Sequence, residues 1–374
     1  MTRRSLDWLA RLVEQLQLGA RYALGIEQRL RALERGKNLK ALASRTIGGQ
    51  PSPAYFNERF RDYELALMNI KMFGYHLGSV RAERRPVSTG NGPLSVALTS
   101  RMCTQADMDS AWLAFWCQEC RVPFAYHRKW WEMCFVAQAI FNAGKLVPEA
   151  TGLGFGCGGE VLPSLFAKYG TSVLAIDQEP DAAAEQGWTA TGQHAANIEK
   201  LRLSHVCPDL AKLARIDFRF VDMNAIPADL AGRFDFCWSA CALEHLGSIA
   251  KGLAFIENSL KTLKPGGVAV HALEYNLSDD SETIDNWSTV LFQKKHLVAM
   301  AERLRQAGYQ VSELDFAHGD SLLDGFVDIP PWRSDAVALS PHATQLKISV
   351  DGFACTSFGL IVRVPETGVA AVEP

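Results

Sequence analysis

Glycines at alternate positions after an apolar run are the sharpest chemical signal in the chain. In "TGLGFGCGGEV", residues 151–161, Gly154, Gly156 and Gly158 fit G-x-G-x-G, while Gly154, Gly156 and Gly159 fit G-x-G-x-x-G. Both patterns bring bare backbone against a ligand and lead into a helix whose first N–H groups face an anion. The alternating pattern suits the methionine carboxylate of S-adenosylmethionine (SAM), and the longer one suits a dinucleotide pyrophosphate. Asp177 ends the next apolar run, "SVLAID". Its carboxylate is a two-oxygen fork that matches the vicinal diol of a ribose, and its other use is as a helix N-cap.

Further along, "FRFVDMNAIP" places Asp222 where a carboxylate can accept from an adenine amino group, with Met223 packing on the ring. The same Asp could instead end a strand with a turn. "ALEHLGS" holds Glu244 and His245 just beyond a fourth strand, and "HALEYN" puts Glu274 after a fifth. Ligands of open α/β sheets sit at such carboxyl ends. A neutral imidazole there can take a proton from an acceptor hydroxyl, while Glu274 can bind or deprotonate a sugar hydroxyl or pair with an Arg or Lys. Tyr275 and Asn276 would add packing and hydrogen bonds. In "YHRKWWE", His127, Arg128 and Trp131 suit an acceptor carrying phosphate or carboxylate, or a sugar face stacked on indole; helix packing with a solvated face is the other reading.

These residues need a scaffold. Short β-like runs alternate with helical stretches from about residue 148, which predicts a doubly wound, mainly parallel sheet. Ile249, Leu253, Ile256, Leu260 and Leu263 form one helical stripe, stopped by "KPGG". The preceding part reads as helical, with Leu9, Leu12, Val13 and Leu16 continued by Ile26, Leu30 and Leu33. The domain reading is a helical N-terminal module over 1–147, an α/β domain over 148–366 and a flexible tail over 367–374.

Composition narrows the class. The 374 residues are 48% hydrophobic, with 38 basic and 41 acidic side chains and a formal charge of -3, so no bulk charge draws the chain to nucleic acid. Asp7, Arg11 and Glu14 interrupt any leader-like core, and the apolar stretches are too short to span a bilayer, so a cytoplasmic protein is expected. Nine cysteines fit free thiols. Cys117 and Cys120 make a C-x-x-C near Cys103 and Cys134, but a second closely spaced pair is missing; buried thiols and no metal site are expected.

The glycine turn, Asp177, Asp222, the aromatic run "FDFCWS" and "LKPGG" follow one another in an order that resembles the class I SAM-dependent methyltransferases over about residues 148–364. The resemblance implies a Rossmann-like seven-stranded sheet with an antiparallel last strand, and SAM as cofactor. It implies cofactor contacts from Gly154, Phe155, Gly156, Gly158, Glu160, Asp177, Gln178, Asp222, Met223 and Ser239. "HRKWWE", "GLGFGCGGE", "GWTATGQHA", "ALEHLGS", "HALEYN" and "TSFGLIVR" are similar to a bacterial subgroup associated with surface-polysaccharide and glycosyltransferase loci, which implies O-methylation of a glycan or lipid-linked sugar, with Glu244, His245 and Glu274 as catalytic candidates. The chain departs from the family at Gly152, where an acidic residue is usual, so Glu160 or a backbone carbonyl must meet the amino group of SAM. The other readings are a small-molecule O- or N-methyltransferase, an NAD-dependent oxidoreductase and a non-catalytic binding protein of the same fold. The N-terminal helices could form a homo-oligomer interface or an acceptor-binding cap.

Overall fold

The computed structural model describes residues 46–47, 50–51, 53–84, 92–185, 194–278, 280–330 and 343–367. The expected helices over residues 1–45, Gln193, the insert at 331–342 and the tail beyond Thr367 lie outside the described residues. The chain divides into two compact units at residues 70 and 71. In the first, Thr46–Ile47 pairs antiparallel with Gln50–Pro51, and the long helix α1, Pro53–Glu83, begins. It runs on into the second unit.

That unit continues with β1 (Ser100–Met102), α2 (Ala111–Glu119), α3 (Arg128–Asn142), β2 (Thr151–Phe155), α4 (Leu162–Lys168), β3 (Ser172–Asp177), α5 (Pro180–Glu185), β4 (Ile216–Phe220), β5 (Phe234–Ala240), α6 (Ile249–Leu260) and β6 (Leu263–Asn276). It ends with α7 (Lys294–Gln306), β7 (Gln310–Val311), β8 (Leu314–Asp315), β9 (Val327–Asp328), β10 (Lys347–Val350) and β11 (Phe353–Arg363). The order β4-β3-β2-β5-β6 is parallel throughout, and β11 then joins β6 antiparallel over nine residue pairs. The parallel part is the doubly wound sheet that the alternation of runs predicts, and β11 is the antiparallel strand that the resemblance implies, with β1 and β8 continuing the sheet beyond it.

Two-residue periodicity divides the core. Phe236, Trp238, Val268 and Val270 face the layer of α2, α3 and α4 with Trp116, Trp131 and Phe166, whereas Cys237, Ala269 and Leu360 face Phe255, Leu297 and Met300 of α6 and α7. Strands covered on both faces read as near-continuous apolar runs, which is why β2 and β5 are so legible. The expected single strand "YQVSELDF" differs: β7 pairs with the end of β11, and β8 leaves to pair with β1. Between them Ser100 occupies the edge of β11, its hydroxyl accepting from the Ile361 N–H at 2.9 Å while its own N–H donates to Glu313 O. A segment placed by sequence in the helical module thus supplies a strand to the sheet.

The second half of α1 is anchored by charge. Lys71 Nζ lies 2.8 Å from Asp328 Oδ1, and Tyr75 and Gln345 each donate to Asp328 Oδ2 at 2.7 Å. Asp328 is fully buried and Lys71 nearly so. Removing one partner of a buried pair strands the other charge, at a cost of about 3–5 kcal/mol. Lys71→Ala should lose that much stability in urea denaturation; a loss below about 1 kcal/mol, the range of an exposed pair, would contradict this anchoring.

Candidate active site

Strand order reverses between β2 and β5, and beyond their carboxyl ends lies a cleft of about 1070 Å³. Such switch points are where open α/β sheets take ligands. Gly156 and Gly158, with φ of 60° and 54°, turn the chain into it in the left-handed region. A Cβ on Gly156 would stand 2.7 Å from Ala242 Cβ. Gly159 has neither constraint: its φ is ordinary and a Cβ there would meet nothing within 4 Å. The third glycine of a dinucleotide turn exists for close helix–strand packing, and Gly159 provides none. Gly154 lies inside β2, where a Cβ would sit 2.4 Å from the Trp238 ring, so its bareness serves strand packing.

Asp177 closes this end of the cleft. Its Oδ2 accepts from Gly158 N at 3.1 Å and Ala195 N at 2.9 Å, and its Oδ1 from Gln178 N at 2.8 Å. A carboxylate has about four acceptor positions, so about one is left, on Oδ1. Asp222, exposed, accepts from Asn224 N at 2.8 Å and so forms the turn that the sequence allowed. Met223 lies beneath Gly156, its sulfur 3.3 Å from where a Cβ would be. Asp177, Gln178, Asp222 and Met223 all line the cleft.

Glu160 lines it as well. Its Oε1 accepts from the Trp238 indole N–H at 2.6 Å, and burial pushes its carboxyl up to about 8. The missing acid at Gly152 has a steric cause: a Cβ there would come within 2.4 Å of the Phe236 ring.

The other end of the cleft is built on His245 and α3. His245 Nδ1 is 2.9 Å from Ser288 O, which assigns the N–H to Nδ1, and burial lowers the ring to about 4, so it is neutral. Behind it Glu244 is fully buried with no hydrogen-bond partner on either oxygen, and burial together with the nearby Glu274 raises its carboxyl well above the usual range. Glu274 Oε1 lies 2.5 Å from Arg128 Nη1, which is also 3.2 Å from Glu132 Oε1 and 3.7 Å from Cys241 Sγ. The Ser357 hydroxyl donates to the same Glu132 oxygen.

Several sequence candidates lie elsewhere. Phe155 and Ser239 are buried in their strands, and the Ser239 hydroxyl pairs at 2.8 Å with His271, itself a core residue lowered to about 3 by burial. Tyr275 packs between Phe316 and Phe358, and Asn276 donates to Glu282 O. His127 caps α3 by accepting from Lys129 N, Trp131 is buried on Phe135 and donates to Asp107, and Arg128 sits beneath the cleft floor. The residues that do face the cleft from α3 are Lys129, Trp130, Glu132 and Met133. Their i, i+3, i+4 spacing was the available signal, masked by a helix apolar on most sides. Cys241, Lys251 and the loop Asn286, Trp287 and Ser288, also on the cleft, carried no motif. All nine cysteines are buried free thiols.

The glycine assignment is testable by an adjacent pair. Gly156→Ala should lower stability by about 1–3 kcal/mol through strain and overpacking, while Gly159→Ala should stay within about 0.5 kcal/mol. Equal losses in denaturation midpoints would refute the distinction.

Residues 131–314, just under half of the chain, match the family model described as a methyltransferase domain. No curated protein matches the sequence. Similar solved structures include one provisionally described as a sarcosine dimethylglycine methyltransferase from Galdieria sulphuraria, at 17% identity over 64% of this chain and 85% of that one, TM-score 0.38. Others are a SAM-dependent methyltransferase from Mesorhizobium loti (14% identity, 60% and 95% covered, TM-score 0.33) and the glycopeptide N-methyltransferase MtfA complexed with sinefungin (12%, 61% and 93%, 0.34). At those scores the likenesses say nothing of reaction or substrate. The chain carries a methyltransferase domain over residues 131–314.

Proposed function

We propose that the protein transfers a methyl group from SAM to an acceptor oxygen, a sugar hydroxyl of a surface glycan or of its lipid-linked precursor. The distribution of constraint among the glycines carries the cofactor half of this reading: Gly156 and Gly158 are conformationally required at the cleft and Gly159 is not. The glycan acceptor rests on the subgroup resemblance, and it is supported by indoles at the acceptor end, where Trp287 is 63% exposed on the cleft and Trp130 is half-buried. An indole face is the usual apolar platform for a sugar ring, and Lys129 and Lys251 beside it suit an acidic substituent.

Each end has its work. The Gly156–Gly158 turn admits the methionine part of the cofactor, Glu160 receives its ammonium group, the remaining Asp177 acceptor takes a ribose hydroxyl, and Met223 packs on the adenine. When bound, the cofactor supplies a methyl group already activated on a sulfonium sulfur. Alignment is therefore the main task of the protein, since orienting two reactants can account for about 7–11 kcal/mol of a barrier. His245, neutral with Nδ1–H held by Ser288, presents Nε2 as acceptor for the hydroxyl proton. An imidazole tuned this low is a poor base, because assistance is greatest when the pKa lies near the working pH. It orients the hydroxyl more than it ionises it.

Three measurements test this. A carboxyl near 8 that meets an ammonium must ionise, so below that pH binding releases a proton, and affinity rises about tenfold per pH unit until it levels off above about 8. Calorimetry of SAM binding at pH 7 in buffers of different ionisation enthalpy should show release of most of a proton, lost in Glu160→Gln; equal release in both would remove Glu160 from the ammonium site. For the acceptor, mass spectrometry of glycans from cells with and without the gene should differ by one methyl unit, and with that acceptor His245→Ala should lower kcat about tenfold. Unchanged glycans would redirect the search to small-molecule acceptors.

A further inference from the structure

Three carboxylates and a thiol meet beneath the acceptor end, and their charges do not balance. Glu132, Glu244 and Glu274 are all buried, and so is Cys241. Two cations reach them: Arg128 pairs with Glu274 and Glu132, and Lys129 Nζ lies 3.4 Å from Glu132 Oε2. Among the described residues no Lys or Arg forms an ion pair with Glu244. Both of its oxygens, together with Glu274 Oε2, are buried without a hydrogen-bond partner. His245 Nε2 stands 4.0 Å from Glu244 Oε1. A buried carboxylate in this position is costly unless something positive completes it.

The geometry points to a divalent metal site formed by Cys241 Sγ and one carboxylate oxygen each of Glu244 and Glu274, with zinc as the metal the donor set fits best. The three ligand atoms lie within 4.8 Å of one another. Tetrahedral zinc with sulfur and oxygen ligands spaces them about 3.4–3.6 Å apart, so closure asks for a shift of about 1 Å or a little more in the side chains. The charges then cancel. Three carboxylates and a thiolate meet Arg128, Lys129 and one divalent ion, and the thiol proton leaves to solvent as the sulfur–metal bond forms.

Surrounding groups are placed as outer partners of a metal site. Arg128 holds Glu274 by Oε1, in the way that ligating carboxylates are usually tethered by a second hydrogen bond, and Glu274 Oε2 is left buried without a partner. The same guanidinium lies 3.7 Å from the Cys241 sulfur. Cys241 itself sits at φ 48°, a left-handed conformation a non-glycine residue rarely adopts, directly after β5. Strain of this kind collects where a side chain must be aimed. Three protein ligands leave a fourth position, and because Cys241 lines the cleft that position opens toward the acceptor. Three ligands and an open place are the arrangement of catalytic rather than structural zinc. Binding of the ion does not depend on the methyl-transfer reading; only its use on the acceptor does.

The test is a cobalt titration of untagged full-length protein, stripped with chelator and dialysed. A sulfur-to-cobalt charge-transfer band should grow to saturation at one equivalent and be bleached by zinc. Cys241→Ser should abolish the band, and Glu244→Gln should weaken cobalt binding about tenfold or more. On the wild type, zinc should also protect Cys241 from alkylation, located by peptide mass spectrometry, which reads the site even if either variant fails to fold. The absence of a band, a band that survives Cys241→Ser, binding only at millimolar cobalt, or an unprotected Cys241 would each overturn the proposal and leave Glu244 holding a proton instead. None of those results bears on SAM binding, which calorimetry measures separately.

Discussion

The guanidinium of Arg128 is the constraint on which the α3 end of the cleft depends. It is almost wholly removed from water, so it must find its partners inside the protein. Those partners come from four places: Glu132 one turn along α3, Glu274 on β6, Ser357 on β11 and Cys241 at the end of β5. Only one docking of α3 satisfies them together. That docking brings Lys129, Glu132 and Met133 along the cleft, and it makes a helix that precedes the glycine turn in sequence a wall of the same site.

The glycine-turn end of the cleft is held by an anion instead. Asp177 accepts three backbone N–H groups, and two of them, from Gly158 and Ala195, belong to segments that otherwise have no reason to meet. A carboxylate that cross-links two turns loses much of its freedom, which orients its remaining acceptor. A structural role at Asp177 therefore leaves an acceptor position free on the same carboxylate. The same holds at Gly154 and Gly152, where missing side chains make room for Trp238 and Phe236, and Trp238 in turn fixes Glu160. The position without an acid and the acid on the cleft wall belong to one packing arrangement.

Legibility followed burial symmetry. Strands β2, β3, β5 and β6 are covered on both faces and so write continuous apolar runs, and the stripe of α6 writes the 3.6-residue period. β1 and β8 are three and two residues long and take their place through backbone hydrogen bonds, which leave no trace in side-chain type. For the same reason the chain around β1 read as part of a separate helical module. In "HRKWWE" the sequence singled out a helix that lines the cleft, but other residues of it face the cleft, because a helix buried on nearly every side has no polar face to announce which residues meet a cavity.

From its sequence alone, this protein's sheet class, the glycine turn and the order of acidic residues along the strand ends were determined, since each depends on local backbone conformation or on periodicity within one element. The tertiary structure alone decided which of Gly158 and Gly159 is constrained, which side chains of α3 reach the cleft, and that Glu244, Glu274 and Cys241 converge beneath it. Those outcomes depend on distances between segments far apart in the chain. They arise because buried charges must be matched by whatever partners the fold brings within reach, and no local pattern encodes that matching.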